Sequence, residues 1–175
     1  HWRLPYLDPN IYSWQSNRPQ AFMKIFNAKH PSLFINGFVE TNGGAYKMVE
    51  GFTHSLQKSA NETLEGLRVV ASRSHLNEET KSFMNRLINS EIVSMGSSLK
   101  FIVLSEGNAE VYPRFAPTME WDSAAAHAIC NEVGLEVLNV KTKKALEYNK
   151  EDLLNPYFIV TSSEDLALDM LSLII

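Results

Sequence analysis

The sequence predicts an α/β domain in which helices are layered against a sheet, and three observations predict it. Short strand-forming runs recur at about 68–72, 91–95, 109–113, 136–140 and 157–161. Helical stretches at 76–88, 98–106 and 123–133 alternate with them, which is the order of a layered α/β sandwich. The chain has 175 residues, 45% hydrophobic and 21% charged, enough for one domain with a buried core.

Residues 1–42 form a loop-rich segment. Four of the seven prolines fall there (Pro5, Pro9, Pro19, Pro31), with a short helical candidate at Pro19–Asn27. Ser32–Val39 reads as a strand interrupted by the turn signal Asn36-Gly37. Residues 48–66 read as a connector with a polar turn around Ser59–Glu62.

Leu67–Ser72 is a short buried strand, rich in Val, that runs into Arg73-Ser74-His75. His75 is either a polar loop residue or a ligand-contacting one, because open α/β sheets bind ligands beyond the carboxyl ends of their strands. Over Leu76–Ile88 the residues Leu76, Thr80, Phe83, Met84, Leu87 and Ile88 share one helical face, a core stripe. A strand at Glu91–Met95 leads into Gly96-Ser97-Ser98-Leu99-Lys100. Ser97 or Ser98 is expected to cap the helix that follows, and Lys100 is then either solvated or part of an anion site at that turn. Leu99–Leu104 fits strand or helix by periodicity; the serines before it and Gly107 after it favour helix.

Arg114 follows the strand Ala109–Pro113. It is either a bidentate phosphate clamp or the partner of Glu110 or Glu120 in a surface ion pair. Asp122 stands where the helix Ser123–Val133 is expected to begin. It either caps that helix, or serves a metal ion and a phosphate. The helix is expected to bury Ala125, Ile129, Cys130 and Val133, with His127 structural. Strands at Glu136–Val140 and Tyr157–Thr161 flank the solvated basic turn Lys141–Lys144 and the break at Asn155-Pro156. Ser162–Ile175 reads as an added helix capped by Ser162, whose apolar end needs the domain's own core or another subunit to cover it.

Composition narrows the partners. A net charge of −4 argues against broad nucleic-acid binding but allows a small phosphorylated ligand held by a few local cations. No stretch is long and apolar enough to span a membrane, and no signal-peptide pattern or initiator Met is present, so the chain is expected to be processed or incomplete. The single Cys130 is expected to be a core residue, fitting a reducing, cytoplasmic compartment.

The stretch YPRFAPTMEWDSAAAHAI (112–129) resembles the W-D-x-A-A-G signature of the inositol monophosphatase superfamily. GSSLKF at 96–101 and YNKEDLLNPYFIV at 148–160 extend the resemblance, whose flanks look most like the 3′(2′),5′-bisphosphate nucleotidase (CysQ-type) branch. It covers roughly Gly43 to Val160, with Gly43–Lys47 resembling a strand that closes the family's first layer. Two departures stand out. Ala126 occupies the family's last Gly, and Asp8-Pro9 is followed by Asn10-Ile11-Tyr12-Ser13 where the family has a D-P-x-D-G-T metal loop.

The resemblance implies the carboxy-terminal α/β layer of that fold over 43–161. It implies Mg²⁺-dependent removal of the 3′-phosphate of 3′-phosphoadenosine 5′-phosphate, with Asp122 a metal ligand and His75, Ser97, Lys100 and Arg114 holding substrate. It also places Tyr148 beside the nucleotide pocket. The other metal ligands and the base for the attacking water have no counterpart in this sequence, so catalysis by this chain is expected to be incomplete or weak. Two alternatives remain open: a non-catalytic nucleotide- or protein-binding module, and an inositol-phosphate phosphatase of the same superfamily. Binding that persists without Mg²⁺ marks the module; a comparison of the two substrates separates the enzymes.

Overall fold

The computed structural model describes residues 22–25, 35–40, 44–49, 52–61, 63–72 and 76–174. They build two sheets. The first is an antiparallel meander of β1 (Phe22–Ile25), β2 (Ile35–Glu40), β3 (Gly44–Val49) and β4 (Phe52–Ser55), in that spatial order. Three expectations are corrected here. β1 lies inside the helical candidate Pro19–Asn27: an apolar run this short fits strand or helix, and pairing with β2 decides it. β2 runs unbroken through Asn36-Gly37, because both residues are paired with β3, at Met48 and Lys47. β4 occupies part of the expected connector; its four side chains are exposed and carry no burial pattern to read.

The second sheet holds the five expected strands: β5 (Arg68–Ala71), β6 (Glu91–Ser94), β7 (Val111–Arg114), β8 (Glu136–Asn139) and β9 (Phe158–Thr161). Their order is β6-β5-β7-β9-β8, with β6, β5 and β7 parallel and β9 antiparallel to both neighbours. Alternation along these strands sorts the core into two faces. Val70, Tyr112, Val137, Phe158 and Val160 face α2 (Leu99–Ser105) and α3 (Glu120–Glu132). Val69, Val111, Leu138 and Ile159 face α1 (Glu78–Met84) and α4 (Glu164–Ser172). On their far side α2 and α3 meet the first sheet through Ile102, Ile129, Ala45 and Leu56. The layers therefore run sheet, helices, sheet, helices.

The helix ends differ in detail from the sequence reading. α1 is shorter than 76–88: Asn77 caps it by accepting the Thr80 N–H at 3.0 Å, and beyond Met84 the chain turns so that Ile88 bridges Glu65 and is exposed. α4 is capped by Ser163, whose Oγ accepts the Leu166 N–H at 3.2 Å; Ser162 is buried one residue earlier. Leu166, Ala167, Met170 and Leu171 of α4 are buried against Leu67, Val69 and Phe83, so the domain's own core covers that apolar face.

One partly buried ion pair joins β5 to the start of β7. Glu110 is fully buried just before β7. Its carboxylate takes the Arg68 backbone N–H at 2.7 Å, the Ser59 hydroxyl at 2.7 Å and the Arg68 guanidinium. Burial pushes the Glu110 pKa up, but these donors outweigh it and hold the carboxyl below its usual range. Arg68 also donates to the Gly107 carbonyl at 2.9 Å. Gly107 lies at φ +71°, and a Cβ there would stand 2.9 Å from the Gln57 carbonyl oxygen, which demands glycine.

Candidate functional site

The parallel strands β5, β6 and β7 point their carboxyl ends the same way, and the turns leaving β6 and β7 carry the residues singled out by sequence. In an open α/β sheet this edge is where ligands sit. The β5–β7 ladder consists of Val69↔Val111, and Pro113, without an N–H, adds no donor above it.

After β6, Ser97 adopts a left-handed conformation, φ +53°. Its carbonyl receives both the Lys100 backbone N–H at 3.4 Å and the Lys100 Nζ at 3.3 Å. Ser98 occupies the cap position of α2 without a side-chain hydrogen bond, so the expected serine cap is absent. Lys100 is not solvated: only 7% of it is exposed, and its Nζ stands 5.7 Å from the centre of the Tyr112 ring. Burial lowers its pKa, and the nearby Arg114 lowers it further.

Arg114 ends β7. Neither of its expected partners is available: Glu110 pairs with Arg68, and Glu120 with Lys150. Among the described residues none of the four ion pairs involves Arg114 or Lys100. Arg114 Nη2 donates to the Pro117 carbonyl at 2.9 Å. Its Nε is buried and meets no acceptor at hydrogen-bonding geometry. Burial raises the Tyr112 pKa to about 12; Arg114 opposes that rise and Asp122 adds to it. Lys100 is therefore within electrostatic reach of Arg114, and Arg114 and Asp122 are each within reach of Tyr112. Among the described residues no carboxylate is bonded to either of the two cations, Lys100 and Arg114, and burying unpaired like charges is costly.

Asp122 is not the cap of α3. The helix starts one turn earlier, with Met119 at the cap position and Asp122 in the first turn, where its Oδ2 accepts the Met119 N–H at 3.0 Å. Met119 offers no capping oxygen. Neighbouring chain supplies partners instead: Glu120 N–H donates to Leu153 O at 2.9 Å, and Asn155 Nδ2 donates to Met119 O at 2.9 Å. Along α3 the buried residues are Glu120, Ser123, Ala126, His127, Ile129 and Cys130; Ala125 and Val133, expected in the core, lie beside that face and are half-buried. Cys130 is fully buried, and burial pushes its thiol to about 12, an inert core residue. His75 lies outside the described residues.

His127 is structural. Its Nδ1 lies 2.8 Å from the Tyr148 hydroxyl, which turns Tyr148 inward against the core. Burial depresses the His127 pKa to about 4. The folded ring stays neutral down to that pH, while in the unfolded chain it takes a proton near 6.5. The unfolded state thus binds the extra proton first, and stability is full above pH 6.5 and lost as pH falls toward 4. We expect a loss of about 2 kcal/mol by pH 5, checked by denaturant melts at both pH values, with His127→Gln flattening the dependence.

Sequence reasoning missed Tyr112, Glu120 and Asn155 as parts of this region. Their only signal was membership in the motifs around Arg114, Trp121 and Pro156.

Asp122 spends one carboxylate oxygen on the helix start, and among the described residues no three His, Cys, Asp or Glu side chains converge. Those residues do not by themselves fit a Mg²⁺ ion, which needs near-octahedral oxygen ligation.

Known proteins resemble the chain at sequence and fold level. Residues 33–172 match the inositol monophosphatase family. The 3′(2′),5′-bisphosphate nucleotidase CysQ of Salmonella typhimurium is 46% identical over 94 residues, 53% of this chain and 38% of that protein. The CysQ of Buchnera aphidicola is 48% identical over 116 residues, 66% of this chain and 40% of that one. The crystal structure of CysQ from Bacteroides thetaiotaomicron, a bacterial member of the family, superposes with a TM-score of 0.61 at 43% identity, covering 72% of this chain and 53% of the solved one. The chain thus spans about two fifths of the length of these curated relatives. No described helix is long and apolar enough to cross a membrane. With four fifths of its residues inside the matched segment, the chain belongs to the inositol monophosphatase family.

Proposed function

We propose that the carboxyl edge of the second sheet binds a phosphate group of a 3′-phosphorylated nucleotide such as 3′-phosphoadenosine 5′-phosphate, and that the chain is the substrate-recognition part of a bisphosphate nucleotidase. The observation that carries this reading is the pair of cations, Lys100 after β6 and Arg114 at the end of β7, within electrostatic reach of each other and, among the described residues, with no carboxylate bonded to either. Arg114 presents a planar fork and Lys100 a point charge, a combination suited to a phosphate's several oxygens. Ser97 sits at the same turn, with a left-handed backbone held for position and not for helix capping. The CysQ relatives support a nucleotide over an inositol phosphate.

A second reading, a nucleotide-binding module without hydrolysis, is favoured by the lack of converging acidic ligands among the described residues. Calorimetry with 3′-phosphoadenosine 5′-phosphate and with inositol 1-phosphate, each with and without Mg²⁺, separates the readings. We expect the nucleotide to bind in both conditions, more tightly than the inositol phosphate. In a single-turnover assay with Mg²⁺ at high protein concentration we expect little or no hydrolysis by this chain. Fast hydrolysis abolished by Asp122→Asn would show that the chain holds a working metal site, and strict Mg²⁺ dependence of binding would count against the module.

A further inference from the structure

The segment 148–155 is bonded along the connector that separates the two ends of the proposed site, and the phosphate-binding reading alone gives it no task. Arg114 and Asp122 bracket residues 115–121, a stretch that leaves β7, passes Pro117 and enters α3. Most of that stretch has no regular secondary structure to define its path.

At its start Asn77 Nδ2 donates to Phe115 O; from Thr118 onward its partners come mainly from the segment 148–155. Asn155 N–H donates to Thr118 O at 2.8 Å. Asn155 Nδ2 donates to Met119 O at 2.9 Å and to Ser123 Oγ at 2.8 Å. Glu120 N–H donates to Leu153 O at 2.9 Å, and Met119 bridges Leu154. In return the Glu120 carboxylate takes the Asn149 N–H at 2.6 Å, the Lys150 N–H at 3.3 Å and the Lys150 ammonium. Asn149 holds φ +65° to present that N–H. Asn155 is 4% exposed and Glu120 7% exposed, while their partners Asn149, Leu153 and Leu154 lie at the surface. The Lys150 bond and the two backbone N–H groups hold the Glu120 carboxyl below its usual range, against burial.

We propose that Asn155 and Glu120 are positioning residues that, through the connector, hold Arg114 in place, and so set the fit of the site to a phosphate. The inference rests on the phosphate-binding reading above. Neither residue is proposed to touch the ligand. Asn155 fixes the backbone at Thr118 and Met119, the carbonyl of Pro117 just before them holds the Arg114 guanidinium, and the Met119 N–H holds Asp122. Moving the connector moves both site side chains together.

The test is a double-mutant cycle read by calorimetry with inorganic phosphate. We expect Asn155→Ala to weaken phosphate binding about tenfold in a protein that still melts cooperatively. We expect the same substitution to have almost no further effect once Arg114→Gln is present, because its influence runs through Arg114. A purely structural role gives losses that add. Lys150→Met is the second variant, should Asn155→Ala fail to fold: it frees the Glu120 carboxylate from outside, and we expect a loss of about threefold, again absent beside Arg114→Gln. Additive losses, or wild-type affinity in both folded variants, overturn the proposal and leave the phosphate site standing. Absence of phosphate binding by the wild type overturns the site and this proposal together.

Discussion

Arg68→Ala is expected to destabilise the protein by about 3 kcal/mol, the low end for a buried pair because Arg68 itself is partly exposed. The reason is the group left behind. Glu110 is fully buried and its carboxylate is held ionised by the Arg68 guanidinium, the Arg68 N–H and the Ser59 hydroxyl. Truncating Arg68 removes the compensating charge while the carboxylate stays out of water, and it also empties the donor that reaches Gly107 O. Arg68→Lys restores charge without the fork and is expected to recover only part of the loss. Urea denaturation of the two variants checks this order. Near-wild-type stability in Arg68→Ala would mean that Glu110 takes a proton or water at little cost.

Lys100→Met is expected to move stability and binding in opposite directions. Lys100 is buried beside Arg114 with no carboxylate on it, and its depressed pKa states that the fold disfavours its charge. Met fills a similar volume without charge, so the ligand-free protein is expected to gain about 1 kcal/mol, or about 2–4 °C in Tm. The same change removes a desolvated cation from the proposed phosphate, and affinity is expected to fall by about two orders of magnitude or more. A site that stores unfavourable charge for its ligand behaves this way. A residue that merely fills the core does not.

How much of this was legible depends on where the deciding partners lie. Leu67–Ala71 and Phe158–Thr161 were readable because each is a short apolar run buried on both faces of a sheet. The first sheet was not: Phe52–Ser55 is exposed throughout, and Phe22–Ile25 is decided by pairing with β2, a contact between separate parts of the chain. The start of α3 was misplaced by one turn for the same reason. Met119 carries no capping oxygen; Leu153 O accepts the Glu120 N–H and Asn155 Nδ2 donates to the Met119 carbonyl, both from more than thirty residues onward, beside the bond of Asp122 to the Met119 N–H.

Lys100, Arg114 and Asp122 were singled out by motif; in the structure Arg114 acts on Lys100, and Arg114 and Asp122 each act on Tyr112. Whether Lys100 is solvated was open in sequence because it turns on burial, and it is buried. The Arg114 choice turned on whether Glu110 and Glu120 were already taken. Both are.

The most direct test of the central claim is the thermal shift produced by inorganic phosphate, at constant ionic strength with sulfate-free buffer. A ligand at free concentration L that binds only the folded state stabilises it by RT ln(1 + L/Kd), so Tm keeps climbing with the logarithm of ligand concentration above Kd. We expect that logarithmic rise in wild type and its absence in Lys100→Met and in Arg114→Gln. A wild-type Tm indifferent to phosphate, or equal shifts in all three proteins, would contradict the claim that these two cations are kept unpaired for an anion.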